Sequence, residues 1–197
     1  MRMFAACSIA WAVALGALGT GCAVDRAPIT IFPAAPGKSP AAPSTEDTTM
    51  QAKLEEIVAK AAIDPASQPD LTLLYERGHA LSGTIRFALG ADGHYELRSN
   101  VTGGRKPGSW QGTLTAAQHK ALLEAASQGL LATPNSARNI GDDEEPVFVT
   151  WRDGALAHKL TLWHADAAHA PGFVVFERAV LGLLKQLSGG AILASAA

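Results

Sequence analysis

Apolar positions along the chain fall into three regimes. Residues 4–18 form an almost unbroken apolar run without a charge, residues 23–50 show no apolar period, and from residue 51 onward apolar positions recur at three to four or at two. The last two spacings are those of helices and strands. Met50, Leu54, Ile57, Val58 and Ala61 share one helical face; Thr48 and Gln51 have capping-box spacing at its start, and Asp64-Pro65 ends it. Strands are predicted over 71–76, 84–89 and 94–98, with Ala91-Asp92-Gly93 as the hairpin turn between the last two. A glycine-rich loop, 103–108, leads to a further short strand, 110–114. Thr115, with Gln118 three residues on, then caps a helix carrying Leu122, Leu123, Ala126 and Leu130. A second hairpin runs over 147–152 and 156–164 about the Asp153-Gly154 turn. The last helix, 171–187, has Pro171 in its first turn, presents Phe173, Phe176, Val180, Leu183, Leu184 and Leu187, and stops at Gly189-Gly190.

Strands grouped apart from helices, without regular alternation, indicate an α+β fold. The expectation is an antiparallel sheet of about four to five strands with two or three helices packed on one face. The chain divides into a signal peptide (1–21), a cysteine and Pro/Ala-rich tether (22–50), a helix and linker (51–68), a single α+β domain (69–190) and a tail (191–197). A domain of that length suits one core, and no internal repeat is visible.

The apolar run at the N-terminus follows Arg2 and ends in Gly19, Thr20 and Gly21. It is shorter than the roughly 20 residues that span a bilayer, so a signal peptide is the better reading than a permanent anchor. Cys7 lies inside it, which leaves Cys22 as the mature chain's lone thiol, unable to form an internal disulfide. Leu18-Gly19-Thr20-Gly21-Cys22 resembles a bacterial lipobox, in which the cysteine becomes the lipidated first residue; Gly19 stands where that motif has a large apolar side chain. The resemblance implies a palmitate-bearing lipoprotein held to the membrane through Cys22. Ala23, in place of the aspartate that resembles an inner-membrane retention signal, points to the outer membrane. The alternative is cleavage after Ala23, which releases a soluble periplasmic or secreted protein. Prolines 28, 33, 36, 40 and 43 give the following stretch the composition of an extended tether.

Charge excludes one class of partner. The chain has 16 basic and 18 acidic side chains, and losing Arg2 with the leader leaves 15 and 18, a formal −3. No basic stripe with interleaved aromatics is present, so no nucleic acid is expected. No cofactor motif is present either. Gly108-Ser109-Trp110-Gln111-Gly112 sets its serine one place too early for a nucleophile elbow, and no Ser-x-x-Lys pair occurs. His164, Asp166 and His169 are the nearest grouping for a metal, but a zinc site needs three or four converging ligands, and a polar loop between strand and helix explains the same residues. His158 and His164 stand about 20 Å apart on one strand face at ~3.3 Å per residue, as the two ends of the core face made by Leu160 and Leu162. The run Asp142, Asp143, Glu144, Glu145 lacks the alternation of a calcium loop and reads as a solvated connection, able also to meet a basic partner. Trp151 alternates with Val147 and Val149 and belongs to the core; Trp163 alternates with Lys159 and Thr161 and is expected at the surface as a contact residue. Arg105 and Lys106, in the glycine-rich loop, join it as candidate contacts, as do the four acids, because polar loops between core elements carry binding.

The order of these elements resembles a group of small bacterial domains that includes emfourin, a proteinaceous inhibitor of thermolysin-like metalloproteases, and related uncharacterised domains. The likeness rests on Leu73-Leu74-Tyr75-Glu76-Arg77-Gly78 with Gly83, then Asp92-Gly93, then Gly112-Thr113-Leu114-Thr115-Ala116-Ala117-Gln118, the following leucine-rich helix, a strand pair and the final helix with Leu183, Leu184 and Leu187. It spans residues 71–187 and consists of turns, caps and core positions, so it implies a protein-binding or inhibitory role without assigning a site residue. The expected function is an exported, lipid-anchored, non-enzymatic binding module of the cell envelope with a protein partner. The alternative is a small envelope hydrolase or metal-dependent enzyme.

Overall fold

Alternation along the strands decides which side chains are buried. In β1 (Leu71–His79), Leu71, Leu73 and Tyr75 enter the core while Thr72, Leu74 and Glu76 take the other face. β2 (Gly83–Leu89), β3 (His94–Ser99) and β4 (Gly108–Thr113) follow as a meander, and β5 (Pro146–Asp153) and β6 (Leu156–Trp163) form a second hairpin that returns beside β1. The result is a six-stranded sheet in the order β4-β3-β2-β1-β5-β6, antiparallel at every pair. The sheet thus exceeds the expected four to five strands. Each of the six corresponds to a segment predicted as a strand, and the difference is that all six join one sheet, with β4 held by its ladder to β3 and by Trp110 packed against the core.

The structure, a computed structural model, describes residues 45–79, 83–100, 107–137 and 144–192. Cys22, the leader, the tether up to residue 44, Arg105, Lys106, Asp142 and Asp143 lie outside the described residues, and residues 45–50, expected in the tether, belong to the first helix. All described residues belong to one compact unit, Ser39–Ala197.

Three helices pack against the core face of the sheet: α1 (Thr45–Ile63), α2 (Ala116–Ser127) and α4 (Pro171–Leu187). α1 buries Leu54, Val58, Ala61 and Ala62 against α2 and β6, so the first helix docks on its own domain. It begins before Thr48, which lies inside the helix rather than at its cap. Met50 is correspondingly 37% exposed, outside the buried stripe. The capping box of α2 forms as its spacing demands: Gln118 N–H donates to Thr115 Oγ1 at 3.2 Å, and Thr115 N–H donates to Gln118 Oε1 at 3.0 Å. A single helical turn, α3 (His164–Ala167), stands where the pattern extended β6 by one residue.

Trp151, Tyr75, Phe87, Phe173 and Phe176 are the largest fully buried side chains. Phe176 sits 6.4 Å from both Tyr75 and Trp151, ring centroid to centroid, and so joins α4 to the neighbouring strands β1 and β5. Gly78 and Gly83 frame the β1–β2 connection with φ of +127° and +96°. A methyl group on Gly78 would collide with the Gly83 carbonyl oxygen, so this close approach admits only glycine.

Candidate functional site

Arg77 breaks the apolar set of β1: it has the parity of Leu71, Leu73 and Tyr75, and its side chain is only 12% exposed. Its Nη1 donates to Glu177 Oε1 at 3.0 Å, its Nη2 lies 3.2 Å from His164 Nδ1, and its Nε lies 3.7 Å from Glu145 Oε2. The Tyr75 hydroxyl donates to the same Glu177 oxygen at 3.3 Å. Burial and the Glu177 carboxylate push the Tyr75 phenol well above its ordinary range, which keeps it a donor. This network ties α4, α3 and the start of β5 to β1. Glu177 accepts two donors, so it is a structural acceptor rather than a free general base. The sequence signal was available: a charged residue at an apolar-parity position of a strand must find partners.

Arg77 also redistributes the expected candidates. It holds His164, which is exposed at the start of α3 and not on a strand face with His158. Glu145 pairs with it, so that acid is part of the domain's structure and not a solvated connection. Glu144 is half-buried too. Trp163 is 6% exposed, contrary to its expected surface position. Strand alternation stops governing exposure where the chain leaves β6, and Trp163 is the N-cap residue of α3. Its backbone N–H donates to Ser136 Oγ at 3.0 Å.

A cavity of about 530 Å³ lies between residues 129–137 and the start of α4, with Asp166 and His169 on its wall. Polar groups of its wall are engaged: Asn135 Oδ1 accepts from Thr161 N–H at 2.6 Å, and Thr133 Oγ1 donates to the Gly129 carbonyl at 3.1 Å. Asp166 and His169 therefore share a cavity while His164 is turned to Arg77. Among the described residues no group of three or more metal-ligating side chains converges. Nor is any described helix long and apolar enough to cross a membrane.

His158 faces the helices opposite Trp151, and its Nε2 is buried without a hydrogen-bond partner among the described residues. Burial lowers its pKa from 6.5 against the attraction of Glu55; burial likewise lowers that of His119 against the attraction of Asp92. Both rings resist protonation in the folded chain, whereas the unfolded chain binds protons as pH falls through about 6.5. Stability is therefore complete above that value and declines as pH drops from it toward the lowered folded values. A urea titration at about pH 5 is expected to give a lower midpoint than one at about pH 7.5, with a shallower loss in His158→Gln. Equal midpoints at the two values would remove these histidines from the account.

The second face of the sheet carries no helix among the described residues. Register places Arg98, Arg86, Glu76 and Phe148 in one cross-strand row, Glu96, Ala88, Leu74, Thr150 and Lys159 in the next, and His94, Thr72 and Arg152 beyond it. The face is concave over Leu74 and Ala88, with a cavity of about 460 Å³ bordered by Arg86, His94, Glu96 and Arg152. Arg86 pairs with Glu76 at 3.4 Å and Arg98 with Glu96 at 3.2 Å, while Lys159 Nζ sits 5.2 Å from the Phe148 ring centroid. Asp92 also borders the cavity, so the cations Arg86, Arg98, Arg152 and Lys159 stand against the carboxylates Glu76, Glu96 and Asp92, and the face has a small positive excess in a chain of net charge −2. Arg86 and Arg98 stand directly opposite each other, an arrangement that works against sheet stability. A local rule broken on an exposed, unlayered face is a feature of binding surfaces.

No protein-family model matches the chain. No curated protein matches it closely enough to identify a relative.

Proposed function

We propose that the protein is a lipid-anchored binding module of the bacterial envelope, exported by its N-terminal signal, fixed to the outer membrane through Cys22, and holding an acidic protein partner on the open face of its sheet. The observation that carries the binding half is the concave, cation-rich face around Leu74 and Ala88. Its paired acids leave Arg152 and Lys159 at one corner and the Arg86–Arg98 pair at the other, with small and apolar side chains between. Complementary charge of this kind sets orientation and encounter rate, and a partly apolar centre supplies affinity. The contact region thus moves from Trp163 and Glu145, which serve the fold, to the sheet. The likeness to emfourin-type domains makes a metalloprotease one partner class to assay.

The anchoring half rests on Cys22 and the small residues before it. Expressed with its native signal, the chain is expected to have a mature mass beginning at Cys22 with acyl chains added, and to sediment with membranes. Cys22→Ser is expected to lose both properties. Each acyl methylene contributes about 0.8 kcal/mol, so several chains hold the protein stably where one would not. An unlipidated wild-type chain, soluble in both versions, would contradict the anchor and leave the open face untouched as a separate proposal.

A further inference from the structure

The two edges of the sheet are finished differently. Along β6, the outward N–H groups of Thr161 and Trp163 donate to Asn135 Oδ1 and Ser136 Oγ, and the Thr161 carbonyl accepts from Ser136 N–H at 2.9 Å. That edge is covered over its C-terminal half. β4, at the other edge, has no backbone partner besides β3 among the described residues. Its register with β3 pairs Gly108, Trp110 and Gly112 with Ser99, Leu97 and Tyr95, and Leu114 N–H continues that side of the ladder to the Gly93 carbonyl. Backbone groups alternate sides in an antiparallel ladder. Ser109, Gln111 and Thr113 therefore direct their N–H and C=O groups away from the sheet, and all three are exposed. β4 has no lysine, proline or other charge to deter pairing.

We propose that two copies of this chain pair antiparallel through β4 about a two-fold axis at Trp110. The strand is self-complementary: reading outward from Trp110 in either direction gives a polar residue and then glycine. In this register Ser109 of each copy exchanges backbone hydrogen bonds with Gln111 of the other, the two residues whose groups already point outward. Residues of equal parity pair, so both helical layers fall on the same side and the two open faces join into one. Each Trp110 ring lies over Gly108 of its own strand, where any side chain would collide with it. Gly108 is opposite Gly112 of the second copy, so the ring meets no side chain there. An additional strand from another protein could use the same backbone groups, but it would not require this symmetry. The pairing is independent of the lipid anchor and of the partner on the open face.

The test is a concentration series of the full chain carrying Cys22→Ser, which removes lipid and intermolecular disulfide together, followed by sedimentation and by hydrogen exchange. An interface of one short strand per copy lies at the small end of specific contacts, so mass is expected to rise toward twice the monomer only at the upper concentrations. The amides of Ser109, Gln111 and Thr113 are expected to gain protection in step. Gln111→Pro removes an outward N–H that β3 does not use, and an edge strand tolerates it; Gln111→Lys adds an edge charge without changing the backbone. Both are expected to stay monomeric with an unchanged urea midpoint. A wild-type chain that remains monomeric throughout, or a dimer that persists in both variants, overturns the proposal.

Discussion

Phe176→Ala is expected to lower the stability of the domain by about 3–5 kcal/mol, read as a shift of the urea midpoint followed by tryptophan fluorescence. The ring is fully buried and touches Tyr75 of β1 and Trp151 of β5 through edge and tilted contacts. Its removal leaves a cavity where α4 meets β1 and β5, walled by two rigid aromatic rings. Domains of this kind have roughly 5–15 kcal/mol in total, so the variant loses a large share of its margin. Phe176→Leu, which fills most of the volume, is expected to lose much less. Equal losses in the two variants would mean that shape at this site matters less than the packing implies.

The second large effect concerns binding, not folding. Reversing Arg152 and Lys159 together to glutamate is expected to weaken retention of the acidic partner by at least about tenfold, since close charge pairs at interfaces couple by roughly 1.5 kcal/mol or more. Both side chains are exposed, and neither belongs to the Arg77 network. The stability read from the urea midpoint is expected to change by no more than about 0.5 kcal/mol, the usual range for surface changes. Raising ionic strength is expected to mimic the substitution in the wild-type chain, because exposed charges are screened beyond about 10 Å at 0.1 M salt. Binding that ignores both salt and charge reversal would move the contact elsewhere.

These two effects differ in how far the sequence foretold them. Phe176 was legible: it lies on the apolar stripe of the last helix with Phe173, Val180 and Leu184, and Pro171 and Gly189 marked that helix's ends. The hairpin at Asp92-Gly93 and the Thr115 capping box were legible for the same reason, since each is a local device written in adjacent residues. The open face was not. Its row of Arg98, Arg86, Glu76 and Phe148 draws on four strands and exists only because β5 returns beside β1. Nothing local distinguishes that return from pairing at the far edge. The parity of Arg77 showed that it needed partners, but their identity was hidden, because its acceptor Glu177 is 100 residues away. Trp163 misled because alternation was extended one residue past the point where the chain turns into α3.

The most direct test of the binding claim is photocrosslinking in the producing cell, with the reactive amino acid placed either at Thr84, exposed on the open face beside Arg86, or at Glu124, exposed on α2. A discrete adduct from Thr84 that disappears with Arg152→Glu and Lys159→Glu, with none from Glu124, is the result the account predicts. Adducts of equal yield from both positions, or one from Thr84 that survives the charge reversal, would contradict it.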